Sequence, residues 1–122
     1  MKKILIVDDE PNIVMSLEYT FRKNNFEVFI ARDGQEALDI LKTELPDIII
    51  LDVMMPMVDG YATLEQIKQD EKLSGCKVIF LSAKNKTSDI ERGMVLGANL
   101  YMTKPFSVKK LIEEVNQLVN HV

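Results

Sequence analysis

The sequence predicts an α/β fold, a doubly wound five-stranded parallel sheet with helices on both faces, and three observations carry that expectation. Residues 4–7, 48–51 and 78–81 are short apolar runs without alternation, the pattern of strands buried on both faces of a parallel sheet. The stretches between them change to helical spacing. The chain has 122 residues, 47% of them hydrophobic, enough to bury about two-thirds of its unfolded surface in one core without disulfides or a structural metal. Residues 1–122 contain no linker, repeat or low-complexity tract, so one domain is expected.

In chain order, the first strand (4–7) runs into Asp8-Asp9-Glu10. The first helix follows Pro11, a residue tolerated in a first turn, with Ile13, Leu17 and Phe21 recurring every four residues. Residues 26–31 are aromatic and β-branched and form the second strand. After the Asp33-Gly34 turn, Ala37, Leu41 and Leu45 repeat the helical spacing. The third strand is 48–51; Leu64 and Ile67, between Gly60 and Gly75, mark the third helix. The fourth strand is 78–81, and a shorter fourth helix runs over 87–97 and is stopped by Gly97. The fifth strand is 100–102. Ser107 caps the fifth helix, whose apolar stripe is Val108, Leu111, Ile112, Val115, Leu118, Val119 and Val122. Five βα units, (βα)5, need right-handed crossovers and a three-layer sandwich. The flavodoxin-like strand order 2-1-3-4-5 is a common solution and is the one expected.

Fifteen basic against 19 acidic residues give a net charge of −4, so no basic surface on the scale of a nucleic-acid footprint is expected. The single cysteine, Cys76, excludes an internal disulfide, and no Cys/His cluster is present for zinc or iron–sulfur binding. The N-terminal apolar run is too short for a signal peptide, and no later run approaches the roughly 20 residues of a membrane span. A cytoplasmic protein with no membrane partner is expected.

In open α/β sheets, ligands sit at the carboxyl ends of the strands. There this sequence places Asp8, Asp9 and Glu10 after the first strand, Asp52 after the third, Ser82 at the fourth and Thr103-Lys104-Pro105 at the fifth. With strands one and three adjacent, Asp8, Asp9 and Asp52 share one rim. Two unit charges about 4 Å apart repel by about 4 kcal/mol at an effective dielectric of 20, so a cation is required. Mg²⁺ suits such an oxygen donor set, Lys104 adds a fixed ammonium and Ser82 a hydroxyl. Together these are the parts for phosphoryl transfer, in which an aspartate can serve as nucleophile. Each residue alone has a plainer reading: Asp8 to Glu10 as caps of the first helix, Asp52 as a turn residue, Lys104 as a surface lysine. Their coincidence at one rim favours the site. If the acidic rim is strained, Asp9→Asn should raise the melting temperature without Mg²⁺ while weakening Mg²⁺ binding.

Four segments carry a resemblance: Ile4-Leu5-Ile6-Val7-Asp8-Asp9-Glu10, Leu51-Asp52-Val53-Met54-Met55-Pro56-Met57-Val58-Asp59-Gly60, Leu81-Ser82-Ala83, and Gly97-Ala98-Asn99-Leu100-Tyr101-Met102-Thr103-Lys104-Pro105-Phe106. Over essentially its whole length the chain resembles the receiver domain of bacterial two-component response regulators, of the chemotaxis-regulator type. The resemblance implies Asp52 as phospho-acceptor, Asp8 and Asp9 as the acidic pair holding Mg²⁺, and Met54 as the residue whose backbone carbonyl completes the protein ligands. It also implies Ser82 and Lys104 as the groups binding phosphoryl oxygens, a cis Lys104-Pro105 bond, and Tyr101 as a switch aromatic that turns inward with Ser82. The implied donor is a sensor histidine kinase or histidine phosphotransfer protein. The implied readout is the face of the fourth helix, fifth strand and fifth helix, with Lys86, Arg92, Val95, Tyr101, Lys109 and Lys110 as candidates for contact with an output protein or fused effector domain. Met15, Met57 and Phe106 are candidate exposed apolar contacts for the donor. Asn99-Leu100 and Lys110-Leu111 depart from the Asp-Asp and Glu-Leu usual in receivers fused to winged-helix domains, so the charged dimer face of that class is not expected. A flavin carrier of similar fold would need a Ser/Thr/Gly-rich phosphate loop where this chain has Asp8-Asp9-Glu10-Pro11. A phosphorylation-independent interaction module is disfavoured by the complete site.

Overall fold

The computed structural model describes residues 1–120. Val122, which the sequence assigns to the stripe of the last helix, lies outside the described residues. The elements are β1 (Lys2–Val7), α1 (Pro11–Lys23), β2 (Phe26–Ala31), α2 (Gly34–Ile40), β3 (Ile48–Leu51), α3 (Gly60–Gln69), a 3₁₀ turn (Glu71–Leu73), β4 (Lys77–Ser82), α4 (Thr87–Val95), β5 (Leu100–Thr103) and α5 (Val108–Asn120). All five strands are parallel, in the order β2-β1-β3-β4-β5.

The apolar runs fail to alternate because both faces of the sheet are covered. Leu5, Val7, Ile49, Leu51, Val78 and Phe80 point to one side, against Ala37 and Leu41 near α2 and Leu64 and Ile67 of α3. Ile4, Ile6, Ile48, Ile50, Ile79 and Leu81 point to the other, against Leu17 and Phe21 of α1 and Leu111 and Val115 of α5. Each fully buried side chain of this size contributes about 1.5–3 kcal/mol, so the two half-cores dominate the stability. On α1 the buried stripe is Val14, Leu17 and Phe21, with Ile13 at its edge.

The register places the site. Val7 pairs with Leu51 and Ser82 with Thr103, so β1 and β3 end level, as do β4 and β5. The ladders run one residue further: Asp8 N–H donates to the Ala31 carbonyl (3.1 Å), Asp52 N–H to Val7 (2.9 Å) and Lys104 N–H to Ser82 (2.8 Å). Asp8, Asp52 and Lys104 are thus pinned by sheet hydrogen bonds at one edge rather than carried on free loops.

Local chemistry sets the helix ends. Asp33 and Asp59 cap α2 and α3 by accepting from Glu36 and Ala62 N–H, and Ser107 Oγ accepts from Lys110 N–H at the start of α5. The α4 helix ends two residues before Gly97. Gly97 sits at φ +113° and donates to Met94, while Ala98 N–H reaches back to Gly93, the two bonds of a Schellman stop. The expected α2 stripe is shorter than the spacing predicts: Leu41 closes the helix, but Leu45 is 58% exposed and outside it. Pro46 accounts for this, since its ring disfavours helical backbone at the residue before it.

Candidate functional site

Asp8 and Asp52 are 3% and 4% exposed, and Lys104 extends between them from the end of β5. Its Nζ lies 2.9 Å from Asp8 Oδ2, 2.9 Å from Glu10 Oε1 and 3.4 Å from Asp52 Oδ2. The remaining oxygens of the buried pair take backbone donors: Asp8 Oδ1 accepts from Glu10 N–H (2.9 Å) and Asp52 Oδ1 from Met54 N–H (3.3 Å). Each buried carboxylate therefore has one oxygen on an amide and one on the ammonium. The cation that the repulsion argument requires is here Lys104.

The electrostatics follow from this crowding. Burial, and then the Asp8 charge, raises the Asp52 carboxyl above its ordinary value, with Lys104 and the Met54 amide pulling the other way. For Lys104, burial alone would favour the neutral amine. Its hydrogen bonds to Glu10 and Asp8, with the Asp52 charge, override that and hold the ammonium well above its usual range.

The structure gathers Asp8, Asp52 and Lys104 and adds Glu10, with ligand oxygens of Asp8, Glu10 and Asp52 all within 4.8 Å of one another. Glu10 stands at the N-cap of α1 but makes no side-chain cap bond, so the capping reading fails for it. Its signal in the sequence was only a third acid before Pro11. Asp9 is exposed and stays outside this group; with Met54 and Pro56 it lines an adjoining cleft of about 370 Å³ that extends to Tyr61, Lys84 and Arg92. The Met54 side chain is 57% exposed at the same rim.

Ser82 is fully buried and its Oγ accepts from Lys84 N–H (3.2 Å). The Tyr101 ring is turned inward against Phe80 (5.7 Å between centroids), and its hydroxyl donates to the Lys84 carbonyl (2.8 Å). Both candidate switch residues thus hold the backbone of Lys84, Ser82 through its N–H and Tyr101 through its carbonyl. Burial, with the neighbouring Tyr61 adding to it, holds the Tyr101 phenol far above its ordinary value. The Lys104–Pro105 bond is cis.

A donor set made only of carboxylate oxygens, two of them buried and one destabilised by its neighbour's charge, fits a hard divalent cation such as Mg²⁺. A family model described as the response regulator receiver domain matches residues 4–116. The chain belongs to the response regulator receiver domain family. Among its relatives is the alkaline phosphatase synthesis transcriptional regulatory protein PhoP of Bacillus subtilis (strain 168), 42% identical over 118 residues. That match covers 97% of this chain and 48% of PhoP, so the chain spans about half the length of that relative. The receiver domain of Francisella response regulator 1452 superposes with a TM-score of 0.91 at 35% identity, covering 98% of both chains. The receiver domain of a signal transduction histidine kinase from Syntrophus aciditrophicus gives 0.92 at 33%, covering 100% of this chain and 92% of that one.

Within this receiver domain one expected surface residue sits differently. Phe106 is half-buried against the α1/α5 half-core, so it is not an exposed apolar contact, whereas Met15 and Met57 are 68% and 85% exposed. Arg92 is exposed, with its guanidinium 4.2 Å over the Tyr61 ring of α3. Lys86, Val95, Lys109 and Lys110 are exposed as expected. No helix among the described residues is long and apolar enough to cross a membrane.

Proposed function

We propose that this receiver unit, residues 1–122, is a phosphorylation-controlled switch that accepts a phosphoryl group on Asp52. The observation that carries the reading is the buried carboxylate pair Asp8 and Asp52 closed by the Lys104 ammonium at a strand-end rim. Asp8, Asp9 and the Asp52 side chain, with the Met54 backbone carbonyl, would hold Mg²⁺. When bound, the ion supplies charge that neutralises the carboxylates and the phosphoryl oxygens.

The chain's own groups do the rest. An Asp52 oxygen attacks phosphorus, the P–N bond of a phosphohistidine donor breaks, and its electron pair stays with the imidazole nitrogen. Lys104, already at 3.4 Å from Asp52, follows the added negative charge, and Ser82 offers its hydroxyl once its bond with Lys84 N–H is exchanged. Movement of Ser82 therefore displaces the same residue, Lys84, whose carbonyl Tyr101 holds, which biases α4, β5 and α5. Swinging such an equilibrium from 1:99 to 99:1 needs about 5.5 kcal/mol of differential contact energy. The partners in this reading are a sensor histidine kinase or histidine phosphotransfer protein as donor and an output protein or fused effector domain as reader, in the cytoplasm, with no direct nucleic-acid contact by this unit.

Intact-protein mass after incubation with acetyl phosphate tests it. A Mg²⁺-dependent gain of one phosphoryl group by the wild type, absent in Asp52→Ala, is the expected result. No gain with Mg²⁺, or an equal gain in the variant, overturns the assignment.

A further inference from the structure

Two tyrosines from different elements grip the two ends of one short segment. Tyr101 of β5 donates to the carbonyl of Lys84, and Tyr61 of α3 donates to the carbonyl of Asp89 (3.0 Å). Between those carbonyls lie the loop after β4 and the first residues of α4. The Lys84 ammonium lies 3.9 Å from Asp89 Oδ1, drawing the same two ends together. The two phenols adjoin each other, and Phe80 packs between their rings at 5.5 and 5.7 Å.

Tyr61 is itself fixed. It is 3% exposed, Arg92 of α4 covers its ring face at 4.2 Å, and it directly follows Gly60, whose N–H donates to the Val53 carbonyl next to the acceptor. Gly93 completes the slot: a Cβ there would meet Phe80 at 2.9 Å and Tyr101 at 3.0 Å, so the bare Cα is what lets α4 lie over an inward Tyr101.

We propose that Tyr61 is a positioning residue for the switch, the second half of a two-tyrosine latch that ties the 84–89 segment to the acceptor strand by way of α3. This rests on the phosphorylation reading above and adds to it a connection from Asp52 to α4 that passes through neither Ser82 nor Tyr101. The latch holds α4 from the side of the fixed α3 wall while Tyr101 holds the loop from β5.

Site-resolved hydrogen exchange on the unphosphorylated chain tests the latch, with intact mass after acetyl phosphate and Mg²⁺ run beside it. In Tyr61→Phe, which keeps the ring and removes the hydroxyl, the amides of Lys84, Asp89 and Ile90 should exchange about fivefold faster, the size of one net hydrogen bond. Amides of β1 and β3 should be unchanged, the Tyr101 ring resonances should move, and the phosphoryl gain on Asp52 should equal that of the wild type. Arg92→Gln should act in the same direction on the same amides, and Tyr101→Phe serves as the reference for a release of the latch. Wild-type exchange at those amides in Tyr61→Phe, or an acceleration spread evenly over the chain, overturns the proposal. A wild type that gains no phosphoryl group would sink the switch reading while leaving the exchange result standing.

Discussion

Ionised Asp52 is disfavoured by its burial and by the Asp8 charge, and only Lys104 and one amide offset them. Its carboxyl value in the folded chain is raised above the ordinary 3.8, so the folded state holds that proton more tightly than the unfolded state. The stability this group contributes is full below pH 3.8 and is lost as pH rises through the raised folded value. At neutral pH the charge is a net cost, so Asp52→Asn should raise the melting temperature by about 3–5 °C if the relief is about 1 kcal/mol, and the gap should close as pH falls below the ordinary value. Thermal melts of both proteins across pH check this, and a gap that does not vary with pH refutes it. The repulsion argument from sequence placed the same relief at Asp9. That residue is exposed and outside the carboxylate cluster, so Asp9→Asn should leave the metal-free stability within about 0.5 kcal/mol of wild type while weakening Mg²⁺ binding, read by titration. Asp8, Asp52 and Lys104 were legible because each lies one step beyond a strand whose apolar run is unmistakable. Glu10 was not, because an acid before proline at a helix start has capping as its ordinary use, and only the reach of Lys104 from the other end of the chain shows otherwise. Tyr61 was unreadable for a similar reason, since a tyrosine in the first turn of a helix gives no sign that its hydroxyl meets a carbonyl 28 residues away.

At the level of elements, the strands were read nearly to the residue, while the helices were read by their stripes and misjudged at their ends. The reason is that strand burial here is two-sided and continuous, whereas helix termination depends on single residues such as Pro46 and Gly97. The close approach of α3 to β3 depends on another. A Cβ on Gly60 would stand 2.2 Å from the Asp52 carbonyl oxygen and 2.8 Å from Val53 Cα, both backbone atoms that cannot rotate away. Gly60→Ala should therefore cost about 3 kcal/mol, displace the loop after β3 and slow the proposed phosphorylation. Gly75, by contrast, has nothing within 4 Å of an added Cβ, so Gly75→Ala should be neutral or stabilising by up to about 1 kcal/mol. Denaturant melts of the two alanine variants separate packing from the general effect of removing a glycine. Equal stability changes would mean that the tight seat of α3 on β3 does not matter.

Across the whole molecule, parallel topology gathers groups from positions 8, 10, 52 and 104 at one point, and the free energy of the fold is coupled to the charge that collects there. The sequence supplied the five βα units, and strand order 2-1-3-4-5 entered as a common solution because no apolar run encodes which neighbour it pairs with. Once that order is in place, β1 and β3 are adjacent and the carboxylates must be neutralised. Lys104 does so, and a divalent cation would draw on the same oxygens. Lys104→Met keeps most of the buried stem but leaves Asp8 and Asp52 facing each other without a counter-charge. Removing one partner from such a buried arrangement costs about 3–5 kcal/mol, so the variant should melt well below wild type in the absence of metal. A cation that binds only the folded state stabilises it by about 2.7 kcal/mol at one hundred times its dissociation constant. With the competing ammonium gone, Mg²⁺ should bind the variant more tightly, and its Mg²⁺-dependent rise in melting temperature should exceed that of wild type while phosphorylation falls. Melting curves over a Mg²⁺ series for both proteins measure this directly. Equal rises would mean that lysine and metal do not share the Asp8 and Asp52 oxygens, and the site would then have to hold the ion on the Asp9 side of the rim alone.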